Sequence, residues 1–133
     1  METIEVNQKV ANYIIGKNQV VVECNKKVST IPFPNIDYKY IEFYSVEKND
    51  EGIYLSDVYE MDNLRNIHMF LMEVVEKSSI PYKSLSDEMK YKINEIANEA
   101  SYNIYMYGKN VSKSTVIFIS LEILFDLLDN LVA

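Results

Sequence analysis

The sequence predicts an α+β fold: an antiparallel β-meander of three or four strands after an N-terminal helix, followed by three C-terminal helices packed on one face of the sheet. Three observations lead there. β-Branched or alternating runs separated by turn residues occupy much of the stretch from Gln19 to Glu60. Apolar residues recur at helical spacing from Leu64 to Leu131, with caps and breakers between the repeats. The two kinds of segment are segregated along the chain rather than alternating, which favours α+β over a parallel α/β sheet.

At 100° per residue Val6, Val10, Tyr13 and Ile14 share one side of a helix over residues 3–15, and Gly16 suits the left-handed position beyond its end. Residues 19–24 read as a strand, Asn25, Lys26 and Lys27 as a turn, and residues 28–31 as a second strand that Pro32 and Pro34 bring to a stop. Residues 38–47 alternate, and after the polar turn around Asp50 and Gly52 residues 53–60 return as the partner strand of a hairpin. Asp62 then serves as N-cap of a helix to Lys77, with Leu64, Ile67, Leu71, Val74 and Val75 as its buried stripe. Pro81 separates this helix from the next. Ser86 caps a long helix over residues 87–107, whose core arc runs from Met89 through Ile93, Ile96, Ala97, Ala100 and Ile104 to Tyr107, with Gly108 closing it. The last helix, residues 114–131, is apolar over most of its circumference apart from Glu122, Asp126 and Asp129, which places it at the centre of the core; Thr115 to Ile119 is also good strand sequence.

The 133 residues correspond to one globular domain, 1–133, without repeat or linker, and a chain of this length buries about 68% of its unfolded surface. One cysteine, Cys24, excludes an intramolecular disulfide and multi-cysteine zinc patterns. With no basic, apolar leader at Met1, the expected compartment is the cytoplasm. Three carboxylates in the last apolar stretch argue against a membrane span. Net charge is −7, and Arg65 is the only arginine, so direct binding of nucleic acid is not expected.

The three glycines lie too far apart for a phosphate-cradling loop, and there is no nucleophile elbow, metal-spaced histidine pair or calcium loop. No catalytic residue, cofactor or metal is therefore assigned, and the chain reads as a non-enzyme. His68, about 40° from Leu64 on its helix, falls within the apolar stripe as a packed or boundary histidine. Cys24 shares strand parity with Val20 and Val22, which makes it a buried small hydrophobe rather than a nucleophile. The pairs available for Mg²⁺, Glu95 with Glu99 and the trio Asp57, Glu60 and Asp62, are spacings that chance produces among 20 acids.

Charge and tyrosine are concentrated more unusually. Between residues 42 and 62, Glu42, Glu47, Asp50, Glu51, Asp57, Glu60 and Asp62 face only Lys48, a local charge of −6. The same region supplies Tyr38, Tyr40, Tyr44, Tyr54 and Tyr59. Tyrosine offers contact area at small entropic cost, and clustered acids speed encounter with a basic surface. The partner-binding set is thus Tyr44, Glu47, Asp50, Glu51, Tyr54, Asp57, Tyr59, Glu60 and Asp62; the competing account is an edge hairpin kept soluble by charge. A second set, Tyr91, Asn98, Tyr102 and Tyr105, lies opposite the core arc of the long helix and either packs within the domain, as is expected, or meets a partner or a second copy. Together these features predict a stoichiometric acidic binding protein, of the inhibitor or immunity type, that neutralises a basic nuclease or other nucleic-acid-handling protein. The alternatives are a small enzyme using these acids with His68, with or without a metal, and a homo-oligomeric scaffold.

Overall fold

The computed structural model describes residues 3–36, 55–107, 110 and 112–131, with side chains in the first helix from Asp62 onward. Four strands, β1 (Ile4–Asn7), β2 (Asn12–Ile15), β3 (Gln19–Cys24) and β4 (Lys27–Pro32), form one antiparallel sheet in sequence order. Among the described residues three long helices follow: α1 (Leu55–Lys77), α2 (Asp87–Tyr107) and α3 (Lys113–Leu131), with a 3₁₀ turn at Tyr82–Ser84 between the first two. The fold is α+β, as the segregation of elements predicts.

The N-terminal helix is the first correction: residues 4–15 form the β1–β2 hairpin, with Val6 opposite Tyr13 and Ile4 opposite Ile15. The 3.6-residue pattern there rests on four residues, all β-branched or aromatic, and such residues also suit a pleated surface. Register decides between the two. Pairing aligns Ile15, Val20 and Ile31 across β2, β3 and β4, and Tyr13 beside Val22, so that all five are buried on one face of the sheet. A helix would have left β3 with an unpaired edge. Gly16 does not take the left-handed conformation; its N–H donates to the Gln19 carbonyl at 2.8 Å in the β2–β3 turn. Positive φ falls instead at Asn25 (52°) and Lys26 (67°), the two residues of the tight β3–β4 turn. Strand β3 has the bounds that its sequence predicts, and pairing ends at Pro32.

The second correction concerns the expected 38–60 hairpin. Residues 38–54 lie outside the described residues, but residues 55–60, assigned to its returning strand, are the first turns of α1. Asp62 is consequently inside the helix rather than its N-cap. Nothing between Leu55 and Met61 breaks a helix, and propagating one that already exists adds a hydrogen bond for each residue ordered. Its C-terminus, Lys77, is as expected, and it closes in a Schellman arrangement: Ser79, at φ 62°, donates to Glu76 O at 3.0 Å, and Ile80 donates to Val75 O at 3.3 Å.

The buried face of the sheet meets the helices. Tyr13 stacks on Phe125 of α3 with ring centroids 3.8 Å apart, and its hydroxyl reaches Ser78 Oγ at 2.7 Å. Phe33, just after β4, meets Phe70 of α1 edge-on at 5.9 Å. The Val10 N–H donates to Asp129 Oδ1 at 3.2 Å, tying the first turn to the end of α3. Residues 115–119 are helical, which resolves their ambiguity. α3 is central to the core along one side only: Ile117, Leu121, Leu124, Phe125 and Leu128 are buried, whereas Ile119 and Ile123 are half exposed.

Candidate protein-interaction surface

Helix α2 begins where its sequence predicts. The Ser86 hydroxyl accepts a hydrogen bond from the Met89 N–H at 3.1 Å, and Asp87 and Glu88 occupy the first turn, where negative charge suits the helix dipole. Met89, Ile93, Ile96, Ala97, Ala100 and Ile104 are buried, as expected. Tyr107, placed in the same arc, is instead exposed at the helix end.

Fixing that inner arc turns Tyr91, Asn98 and Tyr102 outward. Tyr91 is 62% exposed and Tyr102 54% exposed, so neither packs within the domain. With Glu95, Asn98 and Glu99 they line a shallow hollow of about 480 Å³, with no basic side chain among the described residues that line it. Tyr105, the fourth member of this set, is half-buried against the core and belongs to the packing of the domain.

Around the helix, α2 and α3 enclose a groove of about 540 Å³. Ile96, Ala100, Val116 and Ser120 form its buried floor, and Ile119, Ile123 and Leu127 form one wall. Glu95 and Glu99 line both the groove and the tyrosine hollow, which makes the two continuous. The groove-facing half of α3 was not anticipated from sequence. Its signal was present, since a helix apolar over most of its circumference has more apolar surface than one core contact can cover.

The other expected site residues are distributed as follows. Tyr44, Glu47, Asp50, Glu51 and Tyr54 lie outside the described residues. Asp57, Tyr59 and Glu60 belong to the first turns of α1, and half-buried Asp62 pairs with Arg65 one turn along the same helix. His68 is half-buried at the rim of a separate hollow of about 950 Å³, beside Met69, Met72, Glu76, Ile80 and Tyr82. Cys24 is buried, its thiol 3.5 Å from both the Val10 carbonyl and Ser79 Oγ, in agreement with its strand parity.

Comparison with protein-family models, with curated proteins and with solved structures returns no match. Among the described residues, no three His, Cys, Asp or Glu side chains are grouped to hold a metal ion, and no helix is long and apolar enough to cross a membrane.

What this surface can do follows from its composition. Exposed tyrosine rings present flat apolar area with a hydroxyl at the edge, and the carboxylates between them accept hydrogen bonds from lysine or arginine. Aromatic area beside carboxylates is thus able to meet apolar and cationic groups together.

Proposed function

We propose that this chain is a stoichiometric binding protein that neutralises a basic, nucleic-acid-handling protein, a nuclease being the type of target its charge suits. The observation that carries this reading is the outer face of α2, where exposed Tyr91 and Tyr102 flank Glu95 and Glu99 and the hollow they share has no basic side chain among the described residues that line it. The mechanism is occlusion. Carboxylates engage the lysines and arginines with which the target holds phosphate, and the tyrosines cover the apolar surface between them. The net charge of −7 extends this local complementarity to long range and steers a cationic partner in. Binding occurs in the cytoplasm, without cofactor and without direct contact to nucleic acid.

Affinity capture from the host, followed by surface plasmon resonance on the purified partner, tests the reading. A basic protein captured in one-to-one complex, and inhibited in its action on nucleic acid, is the expected result. Glu95→Lys with Glu99→Lys should lower the association rate about tenfold at low salt, whereas Tyr102→Ala should act mainly on dissociation. A partner that is not basic, or a basic partner that keeps full activity in the complex, overturns it.

A further inference from the structure

We infer that the groove between α2 and α3 receives an amphipathic helix of the basic partner, with that helix's apolar face on Ile119 and Ile123 and its lysines or arginines against the carboxylates of both rims. The inference rests on the proposed binding of a basic protein and adds which element of the partner is held.

The shape argues for a helix. The groove runs antiparallel between its walls, from Tyr107 beside Thr115 at one end to Lys92 beside Leu127 at the other. On α2 this distance is about 22 Å at about 1.5 Å per residue, room for about four turns of a docked helix. The apolar surface argues for a partner. Single exposed aliphatics are ordinary, but Ile119 at 50%, Ile123 at 46% and half-buried Leu127 stand at i, i+4 and i+8 on one line, continuous with the buried floor. Such a row accepts side chains spaced i, i+3, i+4 and i+7 on an incoming helix.

Charge complementarity selects the occupant. Exposed Glu95 and Glu99 stand on the α2 rim. On α3, exposed Asp126 lies within about 20° of Ile119 around the helix axis and Glu122 within about 60°, so both border the opposite side. Lys92, the only cation among the described residues that line the groove, is at one end and bridged to Glu88 at 3.3 Å. A second copy of this chain would bring the same carboxylates against these, at −7 per chain. A helix with basic flanks meets opposite charge on both sides of an apolar seam.

The probe is a fluorescein-labelled leucine–lysine peptide of about 15 residues with helical apolar periodicity, matched to the groove at about 1.5 Å per residue. Its controls are the same composition scrambled and a version with glutamate for lysine, all read by fluorescence anisotropy. The patterned lysine peptide should bind, and at least about tenfold more weakly to Ile119→Ser/Ile123→Ser protein whose circular dichroism is unchanged. Glu95→Gln/Glu99→Gln/Glu122→Gln/Asp126→Asn should weaken binding and flatten its decline between about 50 mM and about 300 mM salt. Equal binding of the scrambled peptide, or wild-type affinity in the isoleucine variant, overturns the inference. So does a dimer of the chain that Ile119→Ser/Ile123→Ser dissociates. Capture of an inhibited basic protein whose affinity the isoleucine variant leaves unchanged would remove the groove but keep the functional reading. Groove-dependent peptide binding without any basic protein target would do the reverse.

Discussion

The Ser78 hydroxyl has one proton, and it donates to the Val74 carbonyl at 2.8 Å, so in the 2.7 Å contact with Tyr13 the phenol is the donor. That role requires neutral Tyr13. Burial pushes its pKa from 10.0 up to about 12, with Cys24 and Asp129 adding to the rise and the Ser78 hydroxyl opposing it. The folded state therefore keeps this proton where the unfolded chain loses it. Its stabilising contribution is complete below pH 10 and disappears as pH rises towards 12, a loss of about 2 to 3 kcal/mol. Tyr13→Phe, which keeps the stack on Phe125, should cost about 1 kcal/mol at pH 7 and reduce the alkaline loss, as urea unfolding at about pH 7 and about pH 11 would show. The burial of Cys24 was legible from strand parity. The Tyr13–Ser78 bond was not, because it joins residues 65 positions apart in different elements.

At the level of elements, local chemistry predicts local responses. Ser86→Ala removes the acceptor for the Met89 N–H and should lower stability by about 1 kcal/mol in thermal or urea unfolding. In the β3–β4 turn Lys26 is left-handed at φ 67° and exposed, and it follows Asn25, also left-handed. Lys26→Gly should relieve that conformation and stabilise the hairpin by about 0.5 to 1 kcal/mol, read as a rise in melting temperature. On α2, Tyr102→Ala and Tyr105→Ala should separate. The exposed Tyr102 should leave stability within about 0.5 kcal/mol, whereas half-buried Tyr105 should lower the melting temperature at constant molecular mass in light scattering. A drop in mass for Tyr102→Ala would mark the face as a contact between copies. The helical period and the Ser86 cap made α2 readable. The same period misled over residues 3–15, where strand pairing with β3 outweighs it.

For the whole molecule, charge is the dominant long-range property. Reversing Asp50, Glu51 and Asp57 together should reduce the association rate with a basic partner and its salt sensitivity, because a single exposed charge is screened over about 8 Å at physiological salt. Wild-type kinetics at low salt in a folded triple variant would exclude residues 50–57 from steering and leave the α2 face as the contact. By itself the sequence determined the features written in short windows: the β-branched run of β3 with its turn, the capped helix α2, the acidic and tyrosine-rich composition, and the lack of a recognisable catalytic motif. Tertiary structure alone decided that residues 4–15 pair as strands, that α1 begins before Asp62, and that Tyr91, Tyr102, Ile119 and Ile123 remain accessible while Tyr105 is drawn towards the core. The physical reason is that pairing and burial are settled between segments distant in sequence. An apolar residue on a helix records only that some surface will cover it, whereas the packing of the domain decides which of those surfaces are left for another molecule.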